Sequence, residues 1–365
     1  VVQSLKTIKA VGSEGAGNGA AAKAWKVLAK SGNAALLPTL EAFDGATPTV
    51  ANWLRSVVSA IANEAEQNGR KLSKDDLLKF VLNPKQAPAA RRLAFELVEK
   101  MDAKAAQELL PNFLNDPQLD LRRDAVAAEM KRIAPLANRD NLRREYAALL
   151  LNARDEDQIK EIAKQLKENG TEVNLTKHYG FITEWLVSPT FDNKDGVGFA
   201  LACDPETKAD RTEWKYIQSN DPGGMVDINK VYGEKKNLVA YASATVIADE
   251  DVMVELRAAS QNAVKMFVNG KEVYFREEYH SGVFLDQHIA AVKLNKGKNE
   301  ILMKVCQNDL NQPWAKAWGF SARLSDSTGL AVRLKQSITK DGKEAIVEFG
   351  ELAPPDPKPE KKEEK

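Results

Sequence analysis

Apolar positions recur at helical spacing through the first half of the chain and switch to strand-like alternation in the second. Over residues 20–31, Ala24, Val27 and Leu28 share one helical face, and Gly32-Asn33 supplies a stop. Three longer blocks follow, at 36–61, 77–98 and 109–133. Each predicts a short apolar helix, a turn rich in Asp, Asn or Pro, and a longer amphipathic helix opening near arginine. The turns hold Asp44 and Pro48, then Asn83-Pro84, then Asp116-Pro117; Arg55, Arg91-Arg92 and Arg122-Arg123 lie beyond them. Leu37, Leu77 and Leu110 occupy equivalent places, 40 and then 33 residues apart. Helix pairs at that period predict an α-solenoid. A last pair is expected at 141–152 and 156–168, closed by Asn169-Gly170.

After a polar connector at 171–179, residues 181–187 alternate as a strand, with Phe181, Thr183, Trp185 and Val187 on one face. Further strands are expected at 238–246, 252–257, 263–268, 283–292, 300–306 and 318–324. Turn signals between them include Asp221-Pro222-Gly223-Gly224, Asn269-Gly270 and Lys296-Gly297. Asn269-Gly270, set between two strand patterns, is the strongest local hairpin signal in the chain. A late hairpin is expected around Asp341-Gly342. Many short strands with regular turns predict a sandwich or jelly roll. The expected fold class is multidomain α + β: an all-α solenoid at 1–178, then an all-β jelly-roll sandwich at 179–352. Residues 353–365, with Pro354, Pro355, Pro357, Pro359 and mixed charges, predict a disordered tail.

Composition supports that division. Residues 1–178 hold 31 alanines but seven of the 25 aromatic residues. Alanine favours helix, while aromatic side chains suit strands. The 52 basic and 52 acidic side chains cancel overall, as an excess of four basic groups in 1–178 against four acidic groups in 179–365. Neither offset suits phosphate neutralisation, so no nucleic-acid partner is expected. No apolar run is long enough for a membrane span. Cys203 and Cys306 lack metal or redox spacing; a single bridge between them and two free thiols both remain open.

The turn pattern D-P-x-x-x-x-R-R resembles that of HEAT repeats, and Asp116–Arg123 is its best copy here. In that pattern the Asp caps the second helix, while the arginines bond carboxylates or carbonyls of a neighbouring repeat. The alternative is an anion- or partner-binding stripe of Arg91, Arg92, Arg122, Arg123, Arg143 and Arg144. The segments VKMFVNGKEV (264–273) and LNKGKNEILMKV (294–305) resemble galactose-binding-like jelly rolls, such as the sugar-binding domain of family 2 glycosidases. Most of residues 5–330 is similar to a group of bacterial proteins that join HEAT-like repeats to one such module. Stretches carrying that likeness include GSEGAGN (12–18), NWLR (52–55), LRRDAV (121–126), FDNKDGVGF (191–199), EYHSGVFLDQ (278–287) and KVCQN (304–308). The likeness implies an extracytoplasmic setting, periplasm or cell envelope, in a bacterium. It also departs from the group. Cys203-Asp204-Pro205-Glu206 stands where the group has Y-P-P-E, and Gln261-Asn262 stands where it often has two aspartates. Amides for carboxylates remove charge that a calcium site uses.

Candidate chemistry is sparse. Of the three histidines, His280 and His288 are eight residues apart, which is no zinc spacing. No phosphate-binding loop, dinucleotide fingerprint or nucleophile elbow occurs, so no catalytic residue and no cofactor are assigned. Asp192-Asn193-Lys194-Asp195-Gly196 reads either as half a calcium loop, with Asp192 and Asp195 as metal ligands, or as an ordinary Asx turn. Glu278, His280, Asp286, Gln287, Gln307 and Asn308 form the principal candidate set. Strand pairing brings 278–288 beside 305–308, either as a pocket for a glycan or cation or as a network locking the loops. Trp314 and Trp318 follow, as sugar-stacking platforms or as core. The expected function is a non-catalytic scaffold that binds a protein partner through the solenoid. The alternative is a carbohydrate-binding accessory protein at a polysaccharide or cell envelope, and a third reading is a hydrolase using Asp286 or Glu278 with His280.

Overall fold

The structure, a computed structural model, describes residues 1–208, 210–340 and 343–350. The Asp341-Gly342 turn and the tail at 353–365 lie outside the described residues. The layout is multidomain α + β, with helices first and antiparallel sheets after. Chain contacts divide it into two compact units that meet between Ala137 and Asn138.

The first unit contains α1 (Val2–Lys9), α2 (Asn18–Ser31), α3 (Asn33–Glu41), α4 (Pro48–Gln67), α5 (Lys74–Leu82), α6 (Pro88–Met101), α7 (Ala103–Leu109) and α8 (Leu119–Ile133). α4 shows the construction. Thr47 accepts the Val50 N–H as an N-cap, Pro48 opens the first turn, and Val50, Leu54, Val57, Val58, Ile61 and Ala65 line the buried face. The arginine expected beyond each turn is partly an internal fastener. Arg91, on α6, donates Nη1 and Nη2 to Asp116 at 2.8 and 2.6 Å and Nε to the Val81 carbonyl at 2.8 Å. Asp116 is not the cap of α8; Gln118 is, accepting the Leu121 N–H at 2.7 Å. With its carboxylate held by Arg91, Asp116 instead shapes the turn by accepting the Gln118 N–H at 2.8 Å.

The second unit starts with α9 (Arg139–Leu150), α10 (Glu156–Glu168) and α11 (Leu175–Tyr179), so the last helical pair groups with the sheets although strands begin only after residue 180. Thirteen strands follow among the described residues: β1 (Glu184–Val187), β2 (Phe191–Asp192), β3 (Lys215–Gln218), β4 (Val226–Asp227), β5 (Leu238–Ala248), β6 (Val252–Ala259), β7 (Ala263–Val268), β8 (Lys271–Arg276), β9 (His288–Leu294), β10 (Gly297–Gln307), β11 (Gly319–Ser325), β12 (Leu334–Lys340) and β13 (Lys343–Phe349). The larger sheet runs β13-β12-β5-β10-β7-β8, with β1 and β2 also on β5 and β3 on β1; the smaller runs β4-β11-β6-β9. Every pair of strands is antiparallel. Asn269 and Gly270 turn β7 into β8 with positive φ of 51° and 76°, the torsions that a two-residue I′ turn requires.

Alternate residues of each strand meet between the sheets. Ala240, Ala242 and Val246 of β5 and Ile301, Met303 and Val305 of β10 face Leu256 of β6, Val292 of β9 and Phe320 and Leu324 of β11, with Trp185 and Trp318 in the same core. The opposite face of β5 and β10 is covered too, in a smaller cluster containing Phe199, Tyr241, Phe267, Leu302 and Cys306. Burial on both faces explains why these two strands read as near-continuous apolar runs. One expected strand is corrected. Residues 283–287 form a loop, and β9 begins at His288, because Asp286 takes φ 60° and turns its carboxylate toward two arginines.

Candidate functional site

The candidate residues at 278–308 separate into two groups at the loop end of the sandwich. The first centres on β10. Gln307 is fully buried; its amide donates to the Ala315 and Ala317 carbonyls at 3.2 and 3.1 Å. Its oxygen accepts from Asn308 N–H at 3.1 Å and Asn262 Nδ2 at 3.4 Å. Four bonds engage both donors and both lone pairs of that amide. Asn262 also donates to the Ala317 carbonyl at 3.2 Å and accepts the Gly319 N–H at 3.1 Å. A carboxylate at 262 has no N–H for those two donations, which accounts for the amide there. Ser260 ties in Gln287, whose oxygen accepts the Ser260 N–H at 3.1 Å.

His280 and Asn308 form the outer edge of this group. Asn308 Oδ1 accepts the Leu310 N–H at 3.1 Å, so it is an acceptor, and His280 Nε2 at 2.7 Å must be the donor. That bond places a hydrogen on Nε2, and Nδ1 is buried with no hydrogen-bond partner among the described residues. Trp314 stands edge-on to the imidazole, with ring centroids 5.5 Å apart, and is 63% exposed.

The second group surrounds Asp286. Arg323 donates Nε and Nη2 to its two oxygens at 2.7 and 2.6 Å, and Arg257 adds Nη1 at 2.6 Å. Burial opposes the charged carboxylate, but the two guanidiniums outweigh it and hold Asp286 below the usual carboxyl range. Arg257 is further held by Glu255 at 2.5 Å, and Arg323 donates to the Tyr179 and Gly329 carbonyls, each at 3.0 Å. Among the described residues no hydrogen bond joins Asp286 to His280, and Ser281 serves Gln287 at 3.1 Å rather than the histidine.

The remaining candidates are placed elsewhere. Glu278 is exposed and accepts Arg276 Nε at 2.8 Å. Trp318 is fully buried in the sandwich core, with Nε1 donating to the Val305 carbonyl at 3.1 Å. Asp192 and Asp195 are both exposed; Asp192 accepts the Lys194 N–H at 3.0 Å as an Asx turn, and Asp195 has φ 57°. No grouping of three His, Cys, Asp or Glu side chains suited to a metal occurs among the described residues. Both cysteines are free thiols, and burial pushes the Cys306 thiol up to about 12.

Sequence reasoning missed Arg257 and Arg323, and also a fully buried Lys304. Lys304 Nζ donates to the Phe199 and Leu201 carbonyls at 3.1 and 2.6 Å and to Glu206 at 2.9 Å, while Glu206 also accepts from the Tyr241 hydroxyl. The available signal was a lysine inside the apolar run of β10, where a solvated charge is out of place.

No family model matches the chain, and no curated protein matches it. No helix among the described residues is long and apolar enough to cross a membrane. Similar solved structures include a β-glucuronidase from an uncultured Clostridium species, at 9% identity and TM-score 0.25 over 47% of this chain and 38% of that one. A β-glucosidase from Kluyveromyces marxianus matches at 8% identity and TM-score 0.27, over 74% of this chain and 35% of that one. The PA14 sugar-binding domain of an RTX adhesin matches at 12% identity and TM-score 0.18, over 46% and 74% respectively. This chain thus spans well under half of either glycosidase, and TM-scores this low lend no weight to a shared activity.

Proposed function

We propose that this chain is a non-catalytic interaction protein of the bacterial cell envelope. In this reading its helical region is a HEAT-like solenoid that holds a protein partner, and its sandwich is a galactose-binding-like jelly roll that supplies a second contact surface. One observation carries the reading: Asp286 and Gln307 at the loop end are already engaged in holding that end together, and His280 Nδ1, which has no partner among the described residues, is buried. A general base needs a lone pair within reach of its substrate. The Asp286 carboxylate instead takes three bonds from two guanidiniums, and Gln307 is saturated. The test is a panel of chromogenic glycosides and esters offered to the wild type, to H280A and to H280A/D286N. No turnover above the blank is expected. A wild-type activity lost in H280A, which leaves the arginine pair of Asp286 in place, overturns the proposal.

A second reading, a carbohydrate-binding accessory protein, is favoured by Trp314. Its ring is 63% exposed beside His280 and Asn308, an aromatic platform with polar neighbours of the kind that stacks on a sugar face. On a glycan array this reading expects retention by the wild type and loss in W314A. Retention unchanged in W314A, or no retention by the wild type, rejects it.

A further inference from the structure

The arginines that suggested an anion-binding stripe are engaged within the fold: Arg91 with Asp116, Arg92 with Glu96 and Asp124, Arg143 with Asp140. A different group of cations in the first unit stays at the surface. α4 ends in a Schellman motif, with Gly69 at φ 63°, its N–H on the Glu66 carbonyl at 3.2 Å and the Arg70 N–H on the Ala65 carbonyl at 2.7 Å. That turn sends residues 70–73 past the end of α4 and into α5. Beside it opens a cleft of about 450 Å³, floored by Ala65, Leu72, Leu97 and Met101. Its rim carries Arg70, Lys71, Lys74 and Lys100 against only two carboxylates, Glu66 and Asp102. Both carboxylates are paired, Glu66 with Lys100 at 2.5 Å and Asp102 with Lys74 at 2.7 Å. Arg70 in turn pairs with Glu64 at 3.2 Å, so Lys71 leaves the cleft and its immediate ion pairs with one positive charge in excess.

We propose that this cleft binds an acidic protein segment that buries one apolar side chain between α4 and α6. The inference rests on the reading of the chain as an interaction protein and names the chemistry of its partner. The floor stabilises an inserted leucine- or phenylalanine-sized group by removing it from water. Exposed ion pairs such as Lys100–Glu66 contribute little to stability, so incoming carboxylates exchange into them at little cost. No aromatic side chain lines the cleft. It therefore has no platform for bases or sugar rings, and a peptide suits it better than a nucleic acid or glycan.

The test uses the full chain and fluorescence polarisation with a labelled peptide of about a dozen alternating Glu and Leu residues. One control replaces Leu by Ser, and a second replaces Glu by Lys. The Glu/Leu peptide is expected to bind with an affinity that falls as salt rises. Both controls, and the charge-reversed variant R70E/K71E, are expected to bind at least about tenfold more weakly. Both substituted side chains are exposed, and unchanged far-UV circular dichroism verifies that the variant is folded. No binding of the Glu/Leu peptide, or equal binding of the Ser control, overturns the proposal, the latter by reducing it to polyanion attraction. Binding that R70E/K71E leaves unchanged overturns this cleft while sparing the interaction-protein reading. Turnover that depends on His280 overturns that reading whatever the peptide does.

Discussion

Replacing Asp286 by Asn tests whether the loop-end carboxylate is a structural clamp. The change keeps the side-chain shape and removes the charge facing Arg257 and Arg323. Three charge-assisted bonds of 2.6 to 2.7 Å are lost or weakened, and one of the new amide N–H groups is turned toward donors it cannot bond. Removing one partner of a buried pair costs about 3–5 kcal/mol. The Asp286 side chain retains 17% exposure and Arg257 keeps Glu255, so the lower end, about 3 kcal/mol, is expected. The assay is urea unfolding of the full chain, followed by the near-UV signal of the buried Trp185 and Trp318. Because the chain has two compact units, the transition of the second is fitted on its own. The pH dependence supplies an independent check. The folded carboxyl lies below its ordinary value, so its contribution is complete above about pH 4 and is lost as pH falls through the folded value. The gap between wild type and D286N should therefore be full at about pH 7 and close in stronger acid. A gap below about 1 kcal/mol, or one that does not change with pH, refutes the clamp.

Three further outcomes follow from the same geometry. In the first unit, Arg91→Met leaves Asp116 buried and uncompensated and should cost about 3–5 kcal/mol in denaturant, whereas R91M/D116L should recover much of that loss. Gly224 has φ 68°, and a Cβ there would lie 2.4 Å from the Phe181 ring; G224A should destabilise the second unit by about 2–4 kcal/mol, read from its unfolding transition. Burial first, then Arg154 and Arg323, lowers the His178 imidazole to about 4. It stays neutral in the fold, so its contribution is full above the ordinary value near 6.5 and falls as pH drops toward 4. Nuclear magnetic resonance titration should find the His178 ring protons unshifted at about pH 5.5, and a midpoint near 6.5 would contradict its burial.

Local signals governed what was legible in the sequence. Helical spacing located α2, α3, α5, α6 and α8 to α10 to within a few residues, because an amphipathic face repeats every turn whatever it packs against. By contrast, α4 runs six residues past its expected block, and α7 ends where the third block was expected to begin. Asn269-Gly270 located the β7–β8 hairpin, because two successive positive φ angles are a demand met within the turn itself. α1, the two-residue strands β2 and β4, and the start of β9 were not legible. Their limits depend on partners distant in the chain, such as β5 for β2 and β11 for β4.

The candidate site was legible as a set of residue types and not as an arrangement. Sequence alone determined the division into helical and sheet regions and the concentration of polar side chains at 278–308. Tertiary structure decided that Asp286 belongs with Arg257 and Arg323, that Gln307 and Trp318 lie inside, and that Trp314 lies outside. The reason is range. Strand parity sends a residue to one face of a sheet, but which charges meet there is set by pairing across the sandwich, between segments tens of residues apart.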